Sequence, residues 1–214
     1  MGSGLHEDDR RGIEKVMSSK ISRRSILKSL GMGIAATSVL RVIPAHAAEY
    51  AHHMIAAEKA AAPAKGYTPK FFRAHDYKTL QTLCQTIFPA DADSGGAIEA
   101  GAPEFIDLLT SENQDYQRIL GGGIMWLDNT CSDRYDKAYL DCSPEQQKEI
   151  LDKIAYRKNA AGDSSLSQGV EFFSFLRNMT ADGFFTSEIG IKYLGYIGST
   201  YLTEFPGCPP VSEI

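Results

Sequence analysis

Several kinds of chemistry are excluded by what this sequence does not contain. No G-x-G-x-x-G stands between a strand-like and a helix-like segment, so a dinucleotide fold has nowhere to seat its pyrophosphate. The dense glycine run Gly121-Gly122-Gly123 lies inside a helical pattern, where it allows a bend or a close helix approach. None of the four cysteines begins a C-x-x-C-H, which excludes covalently attached haem. Alternating β-branched runs joined by Asn-Gly or Asp-Gly turns are missing, and so is an internal repeat of fixed period. Basic residues are scarce where they would matter for nucleic acid. Residues 1–47 hold eight Lys/Arg against four Asp/Glu, whereas the remainder of the 214 holds fourteen against twenty-three. The body is therefore acidic, and no Lys/Arg stripe is available for phosphate, so nucleic acid is not an expected partner.

The N-terminus reads as an address. Ser22-Arg23-Arg24-Ser25-Ile26-Leu27-Lys28 is the twin-arginine pattern, with Ile26 where Phe is usual, and the apolar stretch Leu30 to Ile43 follows it. That stretch is shorter than the roughly 20 residues a membrane span needs, and Arg41 interrupts it. Ala45-His46-Ala47 supplies a small-x-small cleavage signal, with Ala45 and Ala47 at its key positions. Residues 1–47 are accordingly expected to be a signal peptide read by the twin-arginine translocase, and the mature chain to be periplasmic. This route carries folded proteins, often with a cofactor or partner already in place.

Beyond the signal the expected organisation is an Ala-rich tether over 48–70 and a compact domain over 71–214. The tether is rich in the best helix former, but a short helix is marginal without something to pack on. In the domain the apolar spacing is helical. Tyr77, Leu80, Cys84 and Ile87 step by threes and fours up to Phe88-Pro89, and Phe105, Ile106, Leu108 and Leu109 form a second face after Pro103. Ser111-x-x-Gln114 predicts a capping box for a third helix carrying Tyr116, Leu120, Ile124, Leu127 and Cys131. Ser143-Pro144-x-Gln146 predicts another, ahead of Ile150, Leu151 and Ile154. Residues 170–185 are too apolar for a surface helix and should be central. The fold class is all-α: a compact bundle of five or six helices, with an extended N-terminal signal and tether and a Pro/Gly-containing C-terminal tail.

Candidate reactive groups are few. Glu49-x-x-His52 is half of a di-iron helix motif, without the second half or the further carboxylates. His75 beside Asp76 is a candidate polarised imidazole, but no nucleophile elbow accompanies it. Asp91, Asp93 and Glu99 around Gly95-Gly96 resemble a loose calcium loop, though position twelve from Asp91 is Ala102 rather than Glu. No residue is assigned a catalytic or metal-binding role. In an oxidising compartment an even number of cysteines favours disulfides. Cys131 and Cys142, close along the chain on either side of a helix end, are the expected local bridge, Cys84 fits a buried apolar stripe, and Cys208 could join Cys84 or a cysteine of another subunit.

Phe88-Pro89-Ala90-Asp91, Gly96-Ala97-x-Glu99-Ala100-Gly101, Phe105-Ile106-Asp107, Tyr193-Leu194-Gly195-Tyr196-Ile197-Gly198 and Phe205-Pro206-Gly207-Cys208-Pro209 occur in that order. Together they resemble the gluconate 2-dehydrogenase subunit 3 family over about residues 70–210. The resemblance implies a non-catalytic small subunit of a periplasmic sugar or polyol dehydrogenase. Its partner would be a glucose-methanol-choline type flavoprotein holding FAD, joined in some complexes by a multihaem cytochrome c subunit carrying haem c. The small subunit would carry the export signal for the flavoprotein and hold no cofactor itself. Aromatic and extended residues of the last third are then the expected partner surface: Tyr193, Tyr196, Tyr201, Phe205, Pro206 and Cys208. Two other readings have their own residues. One is a free periplasmic enzyme or metal protein built on Asp91, Asp93, Glu99 and His75; the other is a ligand-binding helical module with a pocket of Phe172, Phe175 and Tyr193.

Overall fold

The computed structural model describes residues 43–198, apart from Lys65 and Asp93. The described residues are helical, with no strand among them. In chain order the elements are α1 (Ala45–Ala61), α2 (Ala74–Ile87), α3 (Ala102–Glu112), the single turn α4 (Gln114–Tyr116), a π-helical turn (Gln117–Gly121) and α5 (Gly122–Tyr135). A 3-10 turn (Tyr139–Asp141), α6 (Pro144–Ile154), α7 (Arg157–Ala160), a second 3-10 turn (Ser164–Leu166), α8 (Ser167–Phe185) and α9 (Glu188–Tyr193) complete them.

The longest helix, α8, is central, as its composition predicts. It packs against α2, α3, α5, α6, α7 and α9, and buries Phe172, Phe173, Phe175, Leu176, Met179 and Phe184. Close approach is set by glycines. A Cβ on Gly123 of α5 would fall 2.0 Å from the Phe172 ring, and one on Gly169 of α8 would fall 2.4 Å from the Trp126 ring. Of the two roles expected of the glycine run, the close approach is the one that appears, at Gly123, directly after the π turn that ends at Gly121.

Two of the expected stripes are fully buried, while Tyr77 and Ile87 of the first and Leu108 and Leu109 of the second are half-buried against the core. Tyr116, Leu120, Ile124, Leu127 and Cys131 all face the core, as do Ile150, Leu151 and Ile154. The Ser143 capping box forms as predicted, with Gln146 N donating to Ser143 Oγ and Ser143 N to Gln146 Oε1. The other predicted box does not form. Asn113 is the N-cap there and accepts from the amides of Asp115 and Tyr116, while Ser111 stays inside α3 and donates to Leu108 O. An Asn that stops one helix and starts the next two residues later leaves Ser111 no free turn to cap.

The Ala-rich stretch differs from a loose tether in having a surface to pack on. α1 is a 17-residue helix that buries Ala47, Ala48, Ala51 and Ile55 against the body. His52 stacks on Phe105 with ring centroids 5.0 Å apart and hydrogen-bonds Thr186 Oγ1 at 2.9 Å. Lys59 pairs with Glu104 at 2.8 Å, and Glu58 with Lys70 at 2.6 Å. Small side chains let the helix approach closely, so its apolar face carries little hydropathic contrast in the sequence.

The chain between α1 and α2 is held by one buried carboxylate. Asp107 Oδ1 accepts from the amides of Phe71 (3.1 Å) and Phe72 (3.0 Å), and Oδ2 accepts from Lys70 N (2.6 Å) and Tyr67 Oη (2.8 Å). Four donors converge on a fully buried side chain, so both of its oxygens are hydrogen-bonded. Burial and the same carboxylate push Tyr67 far above the usual tyrosine range.

Candidate functional site

The C-terminal arm starts from a rigid seat. Ser187 Oγ donates to Phe184 O and accepts from Gly190 N, so the cap of α9 is also a clamp onto the end of α8. A Cβ on Gly190 would lie 2.1 Å from Phe184 O, and only glycine fits there. Phe88 stacks on Phe184 at 5.0 Å, and Phe185 meets both edge-on at 5.5 and 5.1 Å. Tyr193 leans edge-on against Phe184 at 6.4 Å. The helix then ends in a Schellman turn: Gly195 N donates to Lys192 O and Tyr196 N to Ile191 O, with Gly195 at φ +63°.

From this seat a run of apolar side chains projects into solvent. Tyr193 is 53% exposed, Leu194 58%, Tyr196 61% and Ile197 74%, with Ile191 beside them. Every residue from 191 to 198 is exposed. Isolated exposed apolar residues are ordinary, but five within seven positions on one short arm are not. Of the partner-surface residues expected from sequence, Tyr193 and Tyr196 are on this arm. Tyr201, Phe205, Pro206 and Cys208 lie outside the described residues, as do the signal residues Ser22, Arg23, Arg24, Leu27 and Lys28.

The acidic loop is built from local turns. Asp91 Oδ1 accepts from Ser94 N at 2.8 Å, and Glu99 Oε2 accepts from Gly96 N at 2.9 Å. Phe88 O takes the Ala97 amide at 2.9 Å, and a Cβ on Gly96 would lie 2.6 Å from Ala90 N. The Phe88–Gly96 segment is thus folded tightly on itself, and Gly101, at φ +76°, opens α3. Asp93 lies outside the described residues. Among the described residues no group of three His, Cys, Asp or Glu side chains is disposed to hold a metal ion.

Two histidines take partners that sequence proximity did not suggest. His75 pairs with Asp128 of α5 at 2.8 Å, while Asp76 pairs with Arg73. Asp128 Oδ1 also accepts from Tyr139 N, so this contact braces a turn. His52 is held between Phe105 and Thr186, and burial lowers its pKa below the ordinary histidine value. Phe172, Phe175 and Tyr193 do not form a pocket: the two phenylalanines are in the core and the tyrosine is on the exposed arm. A groove of about 690 Å³ instead runs between α1 and α3, past Tyr50, Met54, Leu108, Leu109 and Tyr116.

The cysteines are free thiols where described. Cys84 is fully buried on α2, within 3.6 Å of Thr180 Oγ1, and burial pushes it up to about 12. Cys131 and Cys142 are neighbours but no disulfide joins them, contrary to the expected bridge.

Fold and surface together define a small all-helical module with a rigidly seated apolar arm. A family model described as Gluconate 2-dehydrogenase subunit 3 matches residues 74–207, and the chain belongs to that family. Neither the curated proteins nor the solved structures yield a match. No helix among the described residues is long and apolar enough to cross a membrane.

Proposed function

We propose that this protein is the accessory subunit of a periplasmic sugar or polyol dehydrogenase, binding a glucose-methanol-choline type flavoprotein that holds the FAD. A multihaem cytochrome c subunit would be a further member of such a complex. The observation that carries the reading is the arm of Ile191, Tyr193, Leu194, Tyr196 and Ile197, presented to solvent from a glycine-fitted seat in a member of this family. Tyrosine and aliphatic anchors on a preorganised segment bury apolar area at modest entropic cost, which suits a permanent subunit contact. The chemistry would belong to the partner's flavin, and this chain would stabilise and escort it.

The test is an affinity pull-down of the chain from periplasm, with an absorbance spectrum of what co-purifies. The expected result is a yellow partner absorbing near ~450 nm from flavin. Tyr193→Ser with Tyr196→Ser should reduce recovery of that partner at least tenfold, about 1.4 kcal/mol or more, while leaving helicity unchanged. A colourless, monomeric protein would reject the accessory reading, and full recovery by the double variant would move the interface elsewhere.

A further inference from the structure

The small-x-small signal Ala45-His46-Ala47 lies in the folded part of the chain. The bond that follows it, Ala47–Ala48, is in the first turn of α1, and the amides of both residues donate to Pro44 O, at 2.9 and 3.1 Å. Ala47 is only 2% exposed and Ala48 only 1%. Upstream, Ile43 is buried as well, in a recess it lines with Tyr116, Val170, Phe175 and Met179. Downstream, Ala51 and Ile55 continue the buried face, and His52 is held by Phe105 and Thr186. The chain is therefore helical at this bond and packed on both sides of it. A peptidase needs the opposite: several residues on either side in extended form, with amides and carbonyls free to pair.

We infer that, with residues 1–47 as the signal peptide, the docking of α1 guards the Ala47–Ala48 bond, so that the signal is removed only from chains in which α1 has lifted off the body. Hydrolysis adds one water across the bond and leaves a carboxylate on Ala47 and an α-amino group on Ala48. At neutral pH that amino group is mostly protonated. It would stand at the start of the shortened helix, where the site of Ala48 gives it no water and the helix dipole opposes a cation. The cut also takes away Pro44 and the first helical turn. Docking and cutting thus exclude each other. A chain exported in the folded state keeps its signal, and a cut chain holds α1 less firmly.

The test incubates the full chain, and separately a synthetic peptide of residues 22–55, with purified signal peptidase in detergent, and reads the new N-terminus by mass spectrometry. The peptide should be cut after Ala47, and the folded chain roughly a hundredfold more slowly or less. Ala51→Glu puts a carboxylate into the α1 contact and should bring the rate to within about tenfold of the peptide while the body keeps its cooperative melt. If that variant does not fold, urea supplies the same readout: cutting of the parent should accelerate at concentrations below those that unfold the body. A folded chain cut as fast as the peptide, a folded Ala51→Glu chain cut no faster than the parent, or cutting that begins only as the body unfolds would overturn the guard. A peptide left whole would overturn Ala47–Ala48 as the processing bond. None of these readouts involves a partner, so they stand apart from recovery of a flavoprotein.

Discussion

A single carboxylate organises more backbone than any other side chain described. Asp107 gathers three amides and a phenol from the segment leading into α2, and it lies on α3, so it ties the body to the chain that joins it to α1. Asp107→Ala would leave four donors in a dry site, and a loss of about 3–5 kcal/mol is expected in urea denaturation. Asp107→Asn keeps the shape but turns an NH2 toward two donors, and should fall between parent and alanine. Nothing in the sequence marked this role. Phe105-Ile106-Asp107 was legible as part of a motif, but a carboxylate inside an apolar face says only that a partner exists, and its partners are 35 to 40 positions away.

At the scale of elements, the helices read most clearly where large apolar residues recur at helical spacing. α2 ends before Phe88 and α5 buries the stripe that periodicity gives it, because one face must meet α8. Periodicity is silent where alanine does the packing, which is why α1 looked like a tether. Nor does it resolve competing caps: Asn113 caps the next turn because the backbone turns extended there, at φ -131° and ψ 113°, with Ser111 still inside α3. Neighbouring glycines give opposite predictions. Gly123→Ala places a Cβ within 3 Å of three Phe172 atoms, one of them Phe172 Cβ. It should cost roughly 1–3 kcal/mol of stability despite the helix preference of alanine. Gly122→Ala meets nothing nearer than 3.5 Å and should stabilise by about 0.5–1 kcal/mol. Thermal melts of the two variants against the parent separate the cases.

For the whole molecule, the acidic balance, the helical class and the family were all legible before any coordinate. The seat of the arm was not: the resemblance marks Tyr193 and Tyr196 as a partner surface, but nothing in the sequence shows that α9 closes on the end of α8 at Gly190, where a Cβ would lie 2.1 Å from Phe184 O. If export of the partner depends on this chain's own signal, Arg23→Lys with Arg24→Lys should leave dehydrogenase activity in the cytoplasm and remove it from the periplasm. Fractionation with an activity assay reads that outcome, and undiminished periplasmic activity would show that the partner travels by other means.

The alanine-lined contact of α1 has a mechanical side. Its buried face consists of Ala47, Ala48, Ala51 and Ile55, so little apolar surface resists separation, and the polar contacts of His52, Glu58 and Lys59 break one at a time. Local opening of this helix should therefore precede opening of the segment held by Asp107, and hydrogen exchange should find the amides of α1 less protected than those of Lys70, Phe71 and Phe72. The leading end of the chain can thus be drawn out and handled while the body behind it stays folded.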